Sequence, residues 1–213
     1  MKKESYLCQT WQGQVQQVIN LLNHGYYWFY TTELPEKKRK KWLLIDKRLM
    51  KLYSITDSKD IRYRRKLASM ANYSYLRWHK RVIILHTLGT LADYQGHVFK
   101  DFRDTPLELP ISDKDGGLRL KIGKSSDGFT TYIARSSFKE LKALLIGSIQ
   151  NRNVDDVKFR FNNLAYLPGY SGVYKQRLSL LNTIKTEFKV RGIKFKRSDF
   201  NLTAVRRSIK VFV

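Results

Sequence analysis

The chain has 213 residues, of which 41 are Lys or Arg and 18 are Asp or Glu, so its formal net charge at pH 7 is +23 and its pI is near 10.1. Hydrophobic residues make up 42% of the chain and aromatic residues 13%, which is enough for a folded core and excludes a disordered polycation. Because such a surplus of positive charge repels itself, we expect a polyanionic partner: nucleic acid in the first place, and an anionic membrane surface in the second.

The single cysteine, Cys8, and the short apolar stretches exclude further classes of protein. One cysteine cannot form an internal disulfide, and it cannot supply a cysteine-rich zinc site. No apolar run has the length of a membrane span, and none near the N-terminus has the character of a signal peptide. We therefore expect an intracellular protein of the cytoplasm or nucleoid, with no membrane partner and with no resident metal or other cofactor.

The positive charge lies in two regions that flank a nearly neutral centre. Residues 36–81 hold sixteen bases against four acids, and residues 171–213 hold eleven against two. Together with the helix and strand patterns below, this division predicts an α+β protein with a helical, basic N-terminal half, residues 1–92, and a smaller C-terminal part, residues 93–213. We expect the C-terminal part to contain a β-hairpin followed by a basic helix and tail.

The N-terminal region begins with a predicted helix over residues 10–23, where apolar residues recur at helical spacing before the stop signal His24-Gly25. The aromatic segment after it, residues 25–32, is either a strand or a close-packed connector. Two roles for its side chains stay open: packing in the core, or stacking of one or two rings on unpaired bases. The candidates for stacking are Tyr26, Tyr27, Trp28 and Tyr30.

A basic helix is predicted over residues 35–53, because Pro35 suits the first helical position and an apolar stripe follows. A run of cations is commonly just a solvated helix face. Five consecutive cations with no acid among them cannot pair with one another, however, so we expect this run to contact phosphates. Its members are Lys37, Lys38, Arg39, Lys40 and Lys41.

Residues 67–82, LASMANYSYLRWHKRV, contain an apolar residue and a small Ala, a second Ala three residues later, then a turn residue, an apolar residue and a polar cap. Ala68 and Ala71 would let two helices approach closely, Asn72 tolerates a left-handed turn, and Ser74 can cap a following helix. In this order the segment resembles the helix-turn-helix motif of DNA-binding regulators. The resemblance implies a recognition helix from Ser74 to Arg81 that lies in a DNA groove.

The segment departs from that motif at Arg81, which stands where an apolar anchor is usual. The alternative is a plain helical hairpin whose basic face binds phosphate. In either case this segment and the helix expected before it would contact phosphates or bases. The residues expected to make these contacts are Arg62, Arg64, Arg65, Lys66, Arg77, His79, Lys80 and Arg81.

An acidic, loop-rich region at residues 93–117 suggests a second function, that of a nuclease. Two or three carboxylates can hold Mg²⁺ at a scissile phosphate, and a nearby lysine can stabilise the developing charge. A tyrosine near Arg177 is an alternative nucleophile. The catalytic candidates are Asp101, Asp104, Asp113, Asp115 and Lys121, or else Tyr174 or its neighbours Tyr166 and Tyr170. Mg²⁺ is expected only for a nuclease, and solvated loop acids are the alternative to a metal site.

The C-terminal part shows further local patterns. Alternating polarity predicts a β-hairpin over residues 118–134, and a capping box at Ser137 predicts a helix to residue 149. Alternation also predicts a strand over residues 157–161, and a basic helix follows over residues 173–191. The tail begins with a short basic strand. Its cations are further candidates for phosphate contact: Lys194, Lys196, Arg197, Arg206 and Arg207.

These patterns predict a nucleic-acid-binding protein, with DNA expected ahead of RNA, that acts as an accessory, replication or recombination factor of a mobile element. Other proteins of a nucleoprotein complex are further expected partners. Two alternatives stay open: a metal-dependent or tyrosine-dependent endonuclease or nickase, and a structural protein associated with RNA or a ribonucleoprotein. We expect binding rather than catalysis, because no complete catalytic motif is present.

Overall fold

The computed structural model describes residues 6–90, 97–111, 117–126, 128–203 and 209–213. Within these residues the protein is a mixed α+β structure that divides into two compact units. The first unit comprises Met1–Pro106 together with Ile209–Val213, and the second comprises Leu107–Ser208. The first unit thus extends past residue 92, where the sequence patterns placed the division.

The described residues of the first unit form a four-stranded antiparallel sheet and three α-helices. The strands are β1 (Trp28–Glu33), β2 (Tyr73–Trp78), β3 (Arg81–His86) and β4 (Lys100–Asp101), and the helices are α1 (Trp11–Asn23), α2 (Trp42–Leu52) and α3 (Lys59–Leu67). A 3₁₀ helix, Glu36–Lys41, leads directly into α2. The predicted helices 10–23 and 35–53 are therefore largely confirmed, but the N-terminal half is built on a sheet and is not helical throughout.

Strand β3 lies between β2 and β1 in the sheet order β2-β3-β1-β4. The four residues 82–85 are all completely buried, because successive side chains point to opposite faces and both faces of this strand are covered. A β-hairpin joins β2 to β3, with Trp78 paired to Arg81 and the two residues between them in the turn. His79 takes a left-handed backbone conformation there, with φ of 49°.

This hairpin replaces the recognition helix that was expected from Ser74 to Arg81. The aromatic and β-branched residues of 73–86 favour paired strands, and their burial in the sheet outweighs the short helix-turn-helix pattern. The first helix of the motif is missing as well, since α3 ends at Leu67, where the motif begins, and Ala68 caps it. The structure therefore contains no second helix in this segment, and the prediction of one is wrong.

The described part of the second unit forms a three-stranded antiparallel sheet with three α-helices. Its elements are β5 (Leu107–Pro110), β6 (Arg119–Ser125), β7 (Gly128–Ile133), α4 (Arg135–Gln150), α5 (Val154–Asn163) and α6 (Ser171–Val190), with short 3₁₀ helices at Leu164–Tyr166 and Arg197–Asp199. The hairpin predicted over residues 118–134 is confirmed as β6 and β7, and the helix predicted over residues 173–191 is confirmed as α6.

Three predictions in the second unit are wrong. Helix α4 begins at Arg135, and Ser137 is not its cap, because the Ser137 hydroxyl accepts a hydrogen bond from the backbone N–H of Arg119. Residues 157–161 are part of helix α5, which begins where the Asn153 side chain accepts from the N–H of Asp156. Val157 and Phe161 are buried one turn apart, whereas Phe159 is exposed, so the apolar alternation does not mark a strand. Residues 194–196 form no strand.

Five helices, α1, α2, α3, α4 and α6, end with a residue in the left-handed conformation. In each case this residue and the next donate backbone N–H bonds back to the last turn, as with Gly25 to Leu22 and Tyr26 to Leu21 after α1. Glycine serves at two of these positions, but other residues serve at three. The five residues are Gly25, Ser54, Ser69, Arg152 and Gly192. Among the helices described, none is long and apolar enough to cross a lipid bilayer.

Candidate nucleic-acid interface

The run of cations at residues 37–41 lies on the 3₁₀ helix Glu36–Lys41, and every residue of that helix is exposed. Trp42 fixes the end of the run, because its buried indole donates a hydrogen bond from Nε1 to the Pro35 carbonyl at 3.1 Å. Arg39 lies over the Trp42 ring, with its guanidinium carbon 5.8 Å from the ring centre. Among the residues described, no acidic side chain forms an ion pair with this run.

Helix α2 continues this positive surface. It buries Trp42, Asp46 and Met50, which recur every fourth residue and so share one face. Lys47, Arg48 and Lys51 are exposed, as are Leu43, Leu44 and Leu52. The buried face of α2 therefore does not contain these leucines, and the Asp46 carboxylate lies in the middle of that face.

Asp46 is completely buried, and its partner is Arg77 on β2. Arg77 Nε lies 3.0 and 2.9 Å from the two carboxylate oxygens, and its Nη2 lies 2.9 Å from Oδ2. The Tyr75 hydroxyl donates to Oδ1 at 2.6 Å. Burial of the ring and, after it, this hydrogen bond raise the pKa of Tyr75 above the usual value for tyrosine.

Two arginines that were expected to touch nucleic acid are thus internal. Arg77 belongs to the buried ion pair, and Arg81 is also buried, with its guanidinium carbon 5.4 Å from the centre of the Trp78 ring. Because both residues are buried, they leave the candidate interface. Lys80 forms a 3.0 Å ion pair with Glu33, and His79 is exposed in the turn of the hairpin.

A cleft of about 540 Å³ lies in the first unit beside α3. One wall comes from residues 24–28, at the end of α1 and the start of β1, and the other comes from α3. The cleft is also lined by Asn72, which precedes β2, and by Thr87 and Leu88, which follow β3. Arg103, which follows β4, completes the lining. The lining contains no Asp or Glu among the residues described, so the cleft is positively charged.

Tyr26, Tyr27 and Trp28 form the aromatic wall of the cleft, and the residues around them hold this wall in place. The left-handed cap at Gly25 ends α1 and directs the chain into Tyr26, Tyr27 and Trp28. The Trp28 ring stacks on His86, with centroids 5.3 Å apart and planes 9° apart. His86 is buried, and this burial lowers its pKa, while the hydrogen bond between its Nδ1 and the Thr87 carbonyl acts in the opposite direction.

The guanidinium of Arg103 lies over this aromatic wall and is held there by Asp101. The Arg103 Nε lies 2.9 Å from Asp101 Oδ1, and its Nη2 lies 2.5 Å from Oδ2. In this position the guanidinium carbon is 5.5 Å from the centre of the Tyr27 ring and 5.0 Å from that of Trp28. Hydrogen bonds from Arg103 lower the pKa of Asp101, so the carboxylate stays charged and keeps the arginine in place.

The opposite wall presents two cations one helical turn apart, Arg62 and Lys66, with Tyr63 between them in sequence. Arg62 Nη2 donates to the Ile55 carbonyl at 2.6 Å, which fixes its side chain across the loop between α2 and α3. Tyr63 is 63% exposed, and its ring contacts no other ring of the described residues. Tyr26 is half-buried, and burial raises its pKa, while Arg62 acts against this shift.

Asn72 supplies a polar group at the inner end of the cleft. Its backbone N–H donates to the Thr87 hydroxyl at 3.0 Å, and its Nδ2 donates to the Arg62 carbonyl at 3.0 Å. Its Oδ1 is buried and has no hydrogen-bond partner among the residues described. A buried acceptor without a partner costs free energy.

The remaining predicted phosphate contacts are dispersed. Arg64 is exposed, whereas Arg65 is tied to Asp57 by a 3.0 Å ion pair. Lys194, Lys196 and Arg197 are exposed in the second unit. Arg206 and Arg207 lie outside the described residues.

Of the described candidates for a nuclease site, Asp101 and Asp104 belong to the first unit and the others belong to the second. Asp101 is engaged with Arg103, Asp104 is exposed nearby, and Asp113 and Asp115 lie outside the described residues. Lys121 on β6 and Tyr174 on α6 belong to the second unit. Burial raises the pKa of Tyr166 and of Tyr170, which opposes formation of a nucleophilic phenolate. No group of three His, Cys, Asp or Glu suited to a metal ion occurs in the described parts of the chain.

Comparison of the chain with protein-family models, with curated proteins and with solved structures finds no match in any of the three. The candidate interface therefore rests on the residues themselves. Sequence patterns pointed to Arg62, Lys66 and the aromatic segment, but they missed Tyr63, Asn72 and Arg103. The sequence could have pointed to Tyr63, because it is an aromatic residue among the cations of residues 62–66. No sequence pattern points to Asn72 or Arg103.

Proposed function

We propose that the first unit binds nucleic acid, with DNA expected ahead of RNA, and that residues 37–41 contact the phosphate backbone. The observation that carries this proposal is that five consecutive cations are all exposed and have no acidic partner among the described residues. Cations that are already paired lose much of their field, whereas unpaired ones attract a polyanion and release its counterions when it binds.

Three further features support the proposal. The cations are displayed on a short backbone segment whose ends are joined by the hydrogen bond from Trp42 to Pro35, so little ordering of the chain is needed on binding. The exposed Lys47, Arg48 and Lys51 extend the charge along α2. The net charge of +23 gives the whole chain a long-range attraction for a polyanion that is strongest at low salt.

The test is a variant in which all five cations of residues 37–41 become Gln, compared by fluorescence anisotropy over a series of salt concentrations. We expect weaker binding to a DNA duplex and a smaller salt dependence, since each lost phosphate contact removes about 0.9 from the slope of log K against log salt. The fold should survive, because the residues are exposed and cations at the start of α2 oppose its dipole.

A matched control removes the same charge elsewhere. Five exposed lysines of the second unit, in α4 and α6, become Gln in the control: Lys139, Lys142, Lys175, Lys185 and Lys189. If both variants lose the same affinity and the same slope, binding depends on net charge alone and the assignment to residues 37–41 is wrong. A duplex RNA of the same sequence tests the preference for DNA.

A further inference from the structure

We infer that the cleft beside α3 holds a single unpaired nucleobase together with its phosphate, which would make the first unit selective for single-stranded segments. This inference rests on the proposed nucleic-acid binding and adds a second, separate contact to it. The cleft volume of about 540 Å³ falls within the roughly 300–1,000 Å³ that is usual for small-ligand sites. A stacked base with its sugar phosphate is a ligand of that class.

Part of the exposed apolar surface of the first unit lies at this cleft. Tyr63, Met70 and Leu88 all line it, and they are 63%, 40% and 78% exposed. Exposed apolar groups gathered around one concavity mark a binding site, since scattered ones would need no explanation. Tyr63 has no ring partner among the described residues, so it can offer its ring to a base.

The charge of the cleft selects an anionic ligand. Arg62, Lys66 and Arg103 line it without an acidic residue in the described lining, and only Arg103 is paired, with Asp101 behind it. That pair leaves the Arg103 side chain 54% exposed and holds its guanidinium over Tyr27 and Trp28. A planar cation that is fixed against aromatic rings is a surface on which a nucleobase can stack.

The aromatic surface of the cleft makes the base itself the recognised group. An abasic nucleotide has no ring to stack on Tyr63, and in a duplex the base is already paired and stacked.

The inference is tested with Tyr63→Ala and Tyr63→Trp, and with Phe159→Ala as a control at a 66% exposed aromatic residue of the second unit. Anisotropy with a fluorescent single-stranded DNA of mixed sequence should show a loss of about 5- to 150-fold for Tyr63→Ala, the range found for loss of one stacked base. Affinity for a duplex should stay unchanged, Tyr63→Trp should retain single-strand affinity, and Phe159→Ala should alter neither. Abasic sites in the single strand should weaken the wild type and leave Tyr63→Ala unaffected.

Three results would overturn the inference. They are an unchanged single-strand affinity in Tyr63→Ala, an equal loss on single strand and duplex, and a free mononucleotide that binds as tightly as the oligonucleotide. The first or second of these, found while the variant of residues 37–41 still loses duplex affinity, refutes the cleft assignment and leaves the proposed function intact. If the wild type binds neither single strand nor duplex at low salt, both proposals fail together.

Discussion

Arg77 on strand β2 grips the carboxylate of Asp46 on helix α2 through two of its nitrogens, in a part of the first unit where Asp46 has no exposed surface. The pair joins the helix that carries the exposed cations to the sheet that carries the cleft wall. Trp42 covers the guanidinium, with its ring centre 5.6 Å from the Arg77 carbon, and Arg77 Nη1 donates to the His79 carbonyl at 2.9 Å. These contacts offset the cost of removing both charges from water.

Replacement of Asp46 by Asn should destabilise the first unit strongly. The arginine would remain buried without a counter-charge, and breaking one partner of such a pair costs about 3–5 kcal/mol. The loss is measured as the change in the free energy of unfolding in urea. A triple variant, Asp46→Leu with Arg77→Met and Tyr75→Phe, should recover much of it because it leaves neither an unpaired charge nor a buried hydroxyl without its acceptor.

The pair between Arg65 and Asp57 serves as the control, since both side chains are about one-fifth exposed and the N–O distance is 3.0 Å. Asp57→Asn should cost about 1 kcal/mol or less. If Asp46→Asn and Asp57→Asn lower the free energy of unfolding equally, the buried pair contributes no more to stability than the partly exposed one.

The buried pair of Asp46 and Arg77 also explains why the sequence patterns wrongly placed Arg77 among the residues that contact nucleic acid. Local patterns place a cation on a basic surface, but the acid that neutralises it is 31 residues away, and only tertiary structure brings the two together. Helix α1, the hairpin of β6 and β7, and helix α6 were predictable because their periodicity and turn signals are local. The β2–β3 hairpin and α5 were not, because short apolar segments fit either period and burial decides between them.

The candidate site divides in the same way. The exposed run at residues 37–41 follows from its composition, since five adjacent cations cannot all be buried. The cleft combines residues 24–28 with α3, the ends of β2 and β3, and Arg103. No spacing in the sequence predicts that these residues line one cleft, because they come together only through the sheet order β2-β3-β1-β4.

Arg152 is expected to limit the stability of the second unit. It ends α4 in the left-handed conformation with φ of 54°, where a side chain is crowded and glycine is not. Arg152→Gly should raise the free energy of unfolding by about 0.5–1 kcal/mol, measured by urea titration. Arg152→Ala removes the charge but keeps the Cβ, so it should give no such gain. A gain in both variants would assign the effect to charge.

Two glycines of the second unit should respond to alanine in opposite directions. A Cβ at Gly172, in the first turn of α6, would lie 2.4 Å from the Thr131 carbonyl oxygen and 2.7 Å from the Tyr132 ring. Gly172→Ala should therefore destabilise the unit by about 1–3 kcal/mol. Gly147, inside α4, has open space around it, so Gly147→Ala should stabilise by about 0.5–1 kcal/mol. Thermal unfolding of both variants checks the pair, and a destabilising Gly147→Ala would contradict it.

His86 should make the stability of the first unit depend on pH. Burial among Trp28, Tyr73 and Phe99 lowers its pKa, so the folded state favours the neutral ring. The resulting stability is complete above about pH 6.5, the usual value for histidine, and is lost as the pH falls toward the lowered pKa. Urea unfolding between pH 7.5 and 5.5 should show a free energy of unfolding that declines as the pH falls, with a slope from this group of at most about 1.4 kcal/mol per pH unit. His86→Phe should flatten this decline, whereas replacement of the exposed His24 by Gln should leave it in place. An equal slope in wild type and His86→Phe would assign the pH dependence to other groups.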